Sequence, residues 1–295
     1  VIQIIDTVAP IFIITLIGFL FGRSKFDLHV ATLSTVVIMV GLPSLIFSSL
    51  TSMDMSLERL GEVFLAAVSC MVIAAIFSLG VVKAFGFSVR TFLPSLIFPN
   101  SGNMGLPLAF LAFGDIGLRL AIAYFVVIAL LQHTVGMTIA SGKYDLGSLL
   151  RQPLIYSVIG VLIVIGFDFT VPNFIVSTTE ILGGLMIPSM LILLGNSLAS
   201  LKISDAGPAI VVAIARLVIG CAAAFGTIWF LGLSGTLAGV VFLLSTMPTA
   251  VVTYVYAERF RPDPEKIAGA VVMSTLLTFA LLPGLIHIAK AISLH

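Results

Sequence analysis

The sequence predicts an all-α polytopic membrane protein: ten transmembrane helices in two inverted five-helix repeats, with helices 4 and 9 broken where they cross. Three observations carry that prediction. The chain of 295 residues is 60% hydrophobic and only 9% charged, a short motif recurs at a fixed offset, and one apolar run in each half is interrupted by helix-breaking polar residues. Soluble domains are about 25% charged, so this composition excludes a water-soluble globule.

A helix rising 1.5 Å per residue needs about 20 apolar residues to cross the hydrocarbon layer. Ten runs fit, at 4–22, 30–51, 62–85, 91–113, 118–141, 152–168, 174–198, 207–231, 235–258 and 266–291. Span 1 lacks a basic leader and a small-residue cleavage site, so it reads as a helix rather than a signal peptide; Asp6 at its start is interfacial or functional. Span 2 carries Pro43, span 7 Pro188 and span 10 Pro283, all read as kinks. Span 3 holds Cys70, and span 8 holds Arg216 and Cys221. The two cysteines are far apart and lack metal spacing, which argues against a disulfide framework or metal site. Span 5 holds Gln132 and His133 and is followed by a short loop, Gly142 to Arg151. Little chain remains between spans, so residues 1–295 form one membrane domain, divided as 1–145 and 146–295. No cofactor and no nucleic-acid partner is expected; the lipid bilayer is the first partner.

Charge sets the orientation. With ten spans, Arg59, Arg119 and Lys290 fall on one side, and Arg23, Lys25, Lys83, Arg90, Lys143, Arg151, Lys202, Arg259, Arg261 and Lys266 on the other. The basic-rich side is the cytoplasmic one. Both termini are therefore expected outside, in a multi-pass protein of the plasma membrane.

The repeat is read from two matches. Gly86-Phe87-Ser88 returns as Gly232-Leu233-Ser234, 146 positions later, and Leu42-Pro43-Ser44 returns as Ile187-Pro188-Ser189 at an offset of 145. Five spans per copy force the second copy to enter the membrane upside down. Inverted repeats with an interrupted span at the same place in each half point to a transporter site near the midplane.

The two interruptions are FPNSGNMGLP, Phe98 to Pro107, in span 4 and STMPTA, Ser245 to Ala250, in span 9. Pro99 lacks an N–H and should end the first half of span 4. Asn100 and Ser101 are expected to supply N-cap oxygens, and Gly102 the backbone freedom for a restart. Ser245 or Thr246 should cap in span 9, with Pro248 near the first helical turn. Two half-helix N-termini facing one volume favour an anion, and the half-helices that end there offer carbonyls to a cation. Asn100, Ser101, Gly102, Asn103, Thr246, Pro248, Thr249 and Arg216 are the candidate substrate-binding residues.

Arg216 lies about 13 Å into span 8 from its cytoplasmic end and stands where the first repeat has Cys70. It is either a substrate or gating partner or a structural pair with backbone carbonyls. His133, beside Gln132, is a candidate for proton or ion coupling; the alternative is a buried, hydrogen-bonded histidine. No Asp or Glu falls at mid-depth in spans 3 to 5, which weighs against a paired-carboxylate proton antiporter.

GLPSLIF in span 2, PNSGNMGLPLA in span 4 and TMPTAVVTYVYAERF in span 9 resemble the auxin efflux carrier family, in its bacterial branch distantly related to the plant auxin carriers. The likeness covers essentially the whole chain. It implies a scaffold from spans 1, 2, 6 and 7, a moving transport domain from spans 3, 4, 5, 8, 9 and 10, and organic acids as substrates. The plant carriers' long loop between spans 5 and 6 is reduced here to about ten residues, so regulation through it is not carried over.

The function expected is secondary transport of a small organic anion, a carboxylate or auxin-like acid, by an elevator mechanism. The alternatives are a sodium-coupled symporter of the bile-acid type and a non-transporting sensor that binds a small anion. Sodium or proton coupling and a homodimer stay open. No metal cluster or nucleophile motif favours an enzyme.

Overall fold

Backbone in a hydrocarbon layer must find its hydrogen bonds within the chain, which leaves helices as the default element. The computed structural model follows that rule over the residues it describes, 2–25, 28–51, 56–144, 147, 150–201, 206–261 and 263–294. The side chains of Asp6 and Lys202 lie outside the described set. The helices are α1 Ile2–Arg23, α2 Val30–Thr51, α3 Leu57–Ala84, α4 Val89–Ile97, α5 Ser101–Ser141, α6 Pro153–Gly166, α7 Asn173–Ser200, α8 Ala206–Leu231, α9 Gly235–Ser245, α10 Val251–Phe260 and α11 Pro264–Ile292. Six of them (α2, α3, α5, α7, α8 and α11) are long and apolar enough to cross a membrane, and α6 and α9 are shorter apolar helices.

Several helices are irregular at defined places. In α5 the residue Gly114 has φ 66° and ψ −156°, a conformation essentially restricted to glycine. It splits α5 into arms 101–113 and 115–141, so that two of the expected spans are joined through a single residue. π turns occupy Val37–Gly41 in α2 and Ser101–Gly105 and Gln132–Gly136 in α5; such turns are frequent at functional sites. The motif that recurs in the sequence forms the same cap twice. Gly86 and Gly232 have φ 64° and 62°, and the Phe87 and Leu233 N–H groups donate to Val82 and Ile228 carbonyls at 2.9 and 3.0 Å. This is the Schellman pattern, with a left-handed glycine closing α3 and α8.

The helices pack in two groups. α1 lies along α7, and α2 packs on α6 and α7. Glycines bring α1 and α7 to backbone contact: a Cβ on Gly195 would sit 1.9 Å from the Thr15 carbonyl oxygen, and one on Gly18 2.1 Å from that of Ile192. Close approach through small residues is how helices associate without a hydrophobic drive between them. The second group is built from α3, α4, α8, α9, α11 and most of α5, with α8 against both α3 and α11. The π turn at 101–105 reaches α7 in the first group.

The second group is centred on the two interruptions. α4 ends at Ile97 and α9 at Ser245; the segments that follow are extended and pair as an isolated antiparallel bridge, Pro99 with Thr249. The Asn100 N–H donates to the Pro248 carbonyl at 2.7 Å, and the Ala250 N–H to the Phe98 carbonyl at 3.1 Å. Pro99 has no N–H to offer the Ser95 carbonyl four residues earlier. The Thr249 hydroxyl donates to that carbonyl instead, at 3.0 Å, while the Thr249 N–H donates to the Ser274 hydroxyl of α11 at 3.1 Å.

Thr249→Ala removes the donor and leaves the buried Ser95 carbonyl unpaired, a loss of about 1–3 kcal/mol, whereas Thr249→Ser retains the bond. Thermal unfolding in detergent should separate the two, and equal midpoints would show that the hydroxyl does not hold the crossing. Gly114→Ala forces a side chain into a glycine-only conformation and should cost about 1–3 kcal/mol in the same assay.

Candidate functional site at the helix crossover

The crossing brings Pro99, Asn100, Ser101, Gly102, Asn103, Thr246, Pro248 and Thr249 to one junction. Their chemistry differs from the capping expected. Asn100 makes no side-chain cap, and the caps of α10 are likewise without side-chain bonds. Pro248 lies before α10 begins at Val251, so it belongs to the bridge rather than to a first helical turn. Thr246 turns its hydroxyl back onto the Phe242 and Leu243 carbonyls, both at 3.0 Å. Here the extended bridge satisfies the backbone between the half-helices, and caps are not what holds the break open.

Without caps, donors are left over. The N–H groups of Ser101, Gly102 and Asn103 at the start of α5, and those of Val251 and Val252 at the start of α10, have no acceptor among the described residues. Asn100 is buried and its Nδ2 has no partner. Asn103 is partly exposed and makes no side-chain hydrogen bond among the described residues. Two N-termini with bare N–H groups on either side of one bridge form a concentration of positive partial charge.

The second arm of α5 closes over the junction. A Cβ on Gly102 would meet Phe125 Cε2 at 2.9 Å, and one on Gly136 would meet Phe98 Cε2 at 2.7 Å. Gln132 falls between those two contacts in sequence, one turn before Gly136; it is buried, and its Nε2 also lacks an acceptor. His133 is placed beside α10, where the Tyr256 hydroxyl lies 3.0 Å from its Nδ1 and 3.2 Å from the Gln132 carbonyl. The structure thus ties Gln132 and His133 to the second half of the crossing helix rather than leaving them on a separate face.

Arg216 reaches the crossing from α8. It is 1% exposed, and its Nη2 donates to the carbonyl of Ser245, the last residue of α9, at 2.7 Å. Its Nε and Nη1 have no partner. Behind it lies a polar chain that the sequence does not announce: the Tyr124 and Ser245 hydroxyls are 2.9 Å apart, Ser245 Oγ lies 3.4 Å from Cys70 Sγ, and Cys70 Sγ 3.2 Å from Thr227 Oγ1. Cys70 and Arg216 meet at one serine. Tyr124 carries no sequence signal, because an isolated tyrosine in an apolar run looks like core; Ser245 was visible only as a capping candidate.

A charged cavity of about 260 Å³ opens elsewhere, where the two helix groups meet. Leu45 and Ser48 of α2, Asp115 and Arg119 just past Gly114, and Glu180, Gly183 and Gly184 of α7 line it. Its charge carries little sequence signal as a site, because Asp115 and Arg119 fall where predicted spans 4 and 5 meet, where charge is ordinary.

The profile of the family described as membrane transport protein matches residues 3–145 and 136–286. An uncharacterized transporter of Methanocaldococcus jannaschii is 27% identical over 301 residues, covering 94% of this chain and 95% of that protein. An uncharacterized transporter of Methanothermobacter thermautotrophicus is 28% identical over 297 residues, covering 94% and 96%. With apolar spans throughout, a broken-helix crossing at its centre and a profile match through both halves, the chain belongs to the membrane transport protein family of auxin efflux carriers, a family of multi-pass membrane transporters.

Proposed function

We propose that the protein is a secondary carrier for a small organic anion, a carboxylate or auxin-like acid, bound where α4–α5 and α9–α10 cross. One observation carries the reading: the only formally charged residue buried among the described residues is a cation, Arg216. The orphaned amide nitrogens of Asn100 and Gln132 point the same way. The Asn100 Nδ2, Gln132 Nε2 and the two free Arg216 nitrogens are donors, as are the bare N–H groups that open α5 and α10. A buried donor without an acceptor costs about 1–3 kcal/mol. An anion that arrives with several acceptor oxygens relieves several such costs at once, whereas a cation relieves none.

The ten-span arrangement follows from taking α4 with the arm 101–113, the arm 115–141, and α9 with α10 as one span each, beside α1, α2, α3, α6, α7, α8 and α11. Two inverted repeats, 1–145 and 146–295, are supported by the matching caps at Gly86 and Gly232 and by the pairing of one interruption with the other. An elevator is favoured by the packing: spans 1, 2, 6 and 7 lie against one another as a scaffold, and the crossing sits wholly in the other group, spans 3, 4, 5, 8, 9 and 10. The orientation that places the basic ends in the cytoplasm puts both termini outside the inner membrane.

Asn103 is the side chain best placed to meet substrate directly. Losing one hydrogen bond to a charged ligand costs about 1.5–3 kcal/mol, which is roughly 10- to 150-fold in affinity. Asn103→Ala should weaken binding of a transported mono- or dicarboxylate on that scale, measured by counterflow and calorimetry, with little change in thermal stability. Unchanged affinity would remove the crossing from the binding site. Orientation has its own check. In a background lacking Cys70 and Cys221, single cysteines at Lys143 and Thr170, both exposed, should react with an impermeant reagent from opposite sides of the membrane. Labelling of both from one side would overturn the five-plus-five arrangement.

A further inference from the structure

A half-helix that ends inside a membrane presents about half a unit of negative charge and a set of free carbonyls. In transporters built from broken helices such ends coordinate a coupling cation. The end of α9 has this form, yet its carbonyls are already engaged by the chain. Thr246 N–H and Oγ1 take Phe242, and Thr246 Oγ1 also takes Leu243. Met247 N–H takes Leu244 at 3.3 Å. The last carbonyl, Ser245, receives Arg216 Nη2 at 2.7 Å. A full positive charge therefore stands at the terminus of α9, attached to α8 by a covalent stem.

We infer that Arg216 is a tethered counter-cation, occupying the place at the end of α9 where a free coupling cation would bind, so that the anion carrier proposed above works without sodium. The inference rests on that carrier reading and decides between the coupling alternatives left open by the sequence. Two further observations support it. No Asp or Glu is buried among the described residues, so nothing at the crossing would draw in a free cation. A sodium ion brought beside the guanidinium would also be repelled by its like charge, with little solvent screening at a buried site. The first repeat has Cys70 in the equivalent position, with its Sγ 3.4 Å from Ser245 Oγ. The cation is thus supplied once, by α8 to α9, both within residues 146–295.

A guanidinium fixed in this way is a positioning group for the crossing, and its loss should be repaired by a free ion of the same shape. The purified protein should have the same thermal midpoint in sodium chloride and in choline chloride of equal ionic strength, and anion counterflow in proteoliposomes should run equally in both. Arg216→Ala should have a lower midpoint and lose counterflow. Millimolar guanidinium should recover at least half of the lost midpoint, while the parent stays unaffected by that addition. Guanidinium that fails to raise the Arg216→Ala midpoint above the choline control overturns the inference. So does a parent stabilised or driven by sodium. Should Arg216→Ala not fold, Arg216→Lys keeps a point charge on a flexible stem and is expected to remain folded and insensitive to sodium; a sodium-stabilised Arg216→Lys or parent again overturns it. The melting arms need no substrate, so their failure is separable from a failure to transport anions.

Discussion

Everything at the centre of this protein follows from one constraint: a peptide group in hydrocarbon must be paired, and a helix that stops there strands its ends. The chain stops two helices at the same depth and lets each pair the other. Phe98 and Pro248 supply carbonyls, Asn100 and Ala250 supply N–H groups, and the result is two bonds of antiparallel sheet in an otherwise helical structure. The rest of the second helix group is arranged to support this. Gly220 lets α8 approach so closely that a Cβ there would stand 2.3 Å from the Ser245 carbonyl oxygen. α11 brings Ser274 to the Thr249 N–H, and the hydroxyl of Thr249 replaces the donor that Pro99 lacks.

The arrangement leaves a deliberate asymmetry between donors and acceptors. Carbonyls at the ends of the incoming half-helices are taken up by threonine hydroxyls, backbone N–H groups and Arg216. The N–H groups at the starts of the outgoing half-helices are not matched in the same way. This asymmetry is what supports the anion reading proposed above, because desolvated donors gain most from a charged acceptor.

Much of this was legible in the sequence, for physical reasons that can be named. Composition settles the solvent, since 9% charge cannot cover a water-facing surface. The interruptions are visible because Pro, Gly and Asn at membrane depth have no ordinary explanation, and they do fall at the crossing. The recurring glycine triplet is visible because a left-handed cap requires glycine, and the same cap is found at both copies. What could not be read was how the break is healed. N-caps are the local solution, and sequence reasoning favours local solutions; the bridge is a contact between residues about 150 positions apart, and nothing near Asn100 announces it. Arg216 shows the same limit. Its depth marks it as costly, but whether it serves a ligand or a carbonyl depends on where α9 ends relative to α8, which is a matter of packing. The connection through Gly114 alone was narrower than the four-residue gap the apolar runs implied.

The bridge itself consists of main chain. Its two hydrogen bonds use the peptide groups of Phe98, Asn100, Pro248 and Ala250 and ask nothing of the amide of Asn100 or the methyl of Ala250. On the function proposed above, architecture and recognition are therefore written in different atoms at the same residues. A chain of this design can exchange the side chains of Asn100 and Ala250, and with them the shape and polarity at the crossing, without breaking the two main-chain bonds that form the bridge. Selectivity in such a carrier is cheap to revise, while the crossing beneath it stays the same.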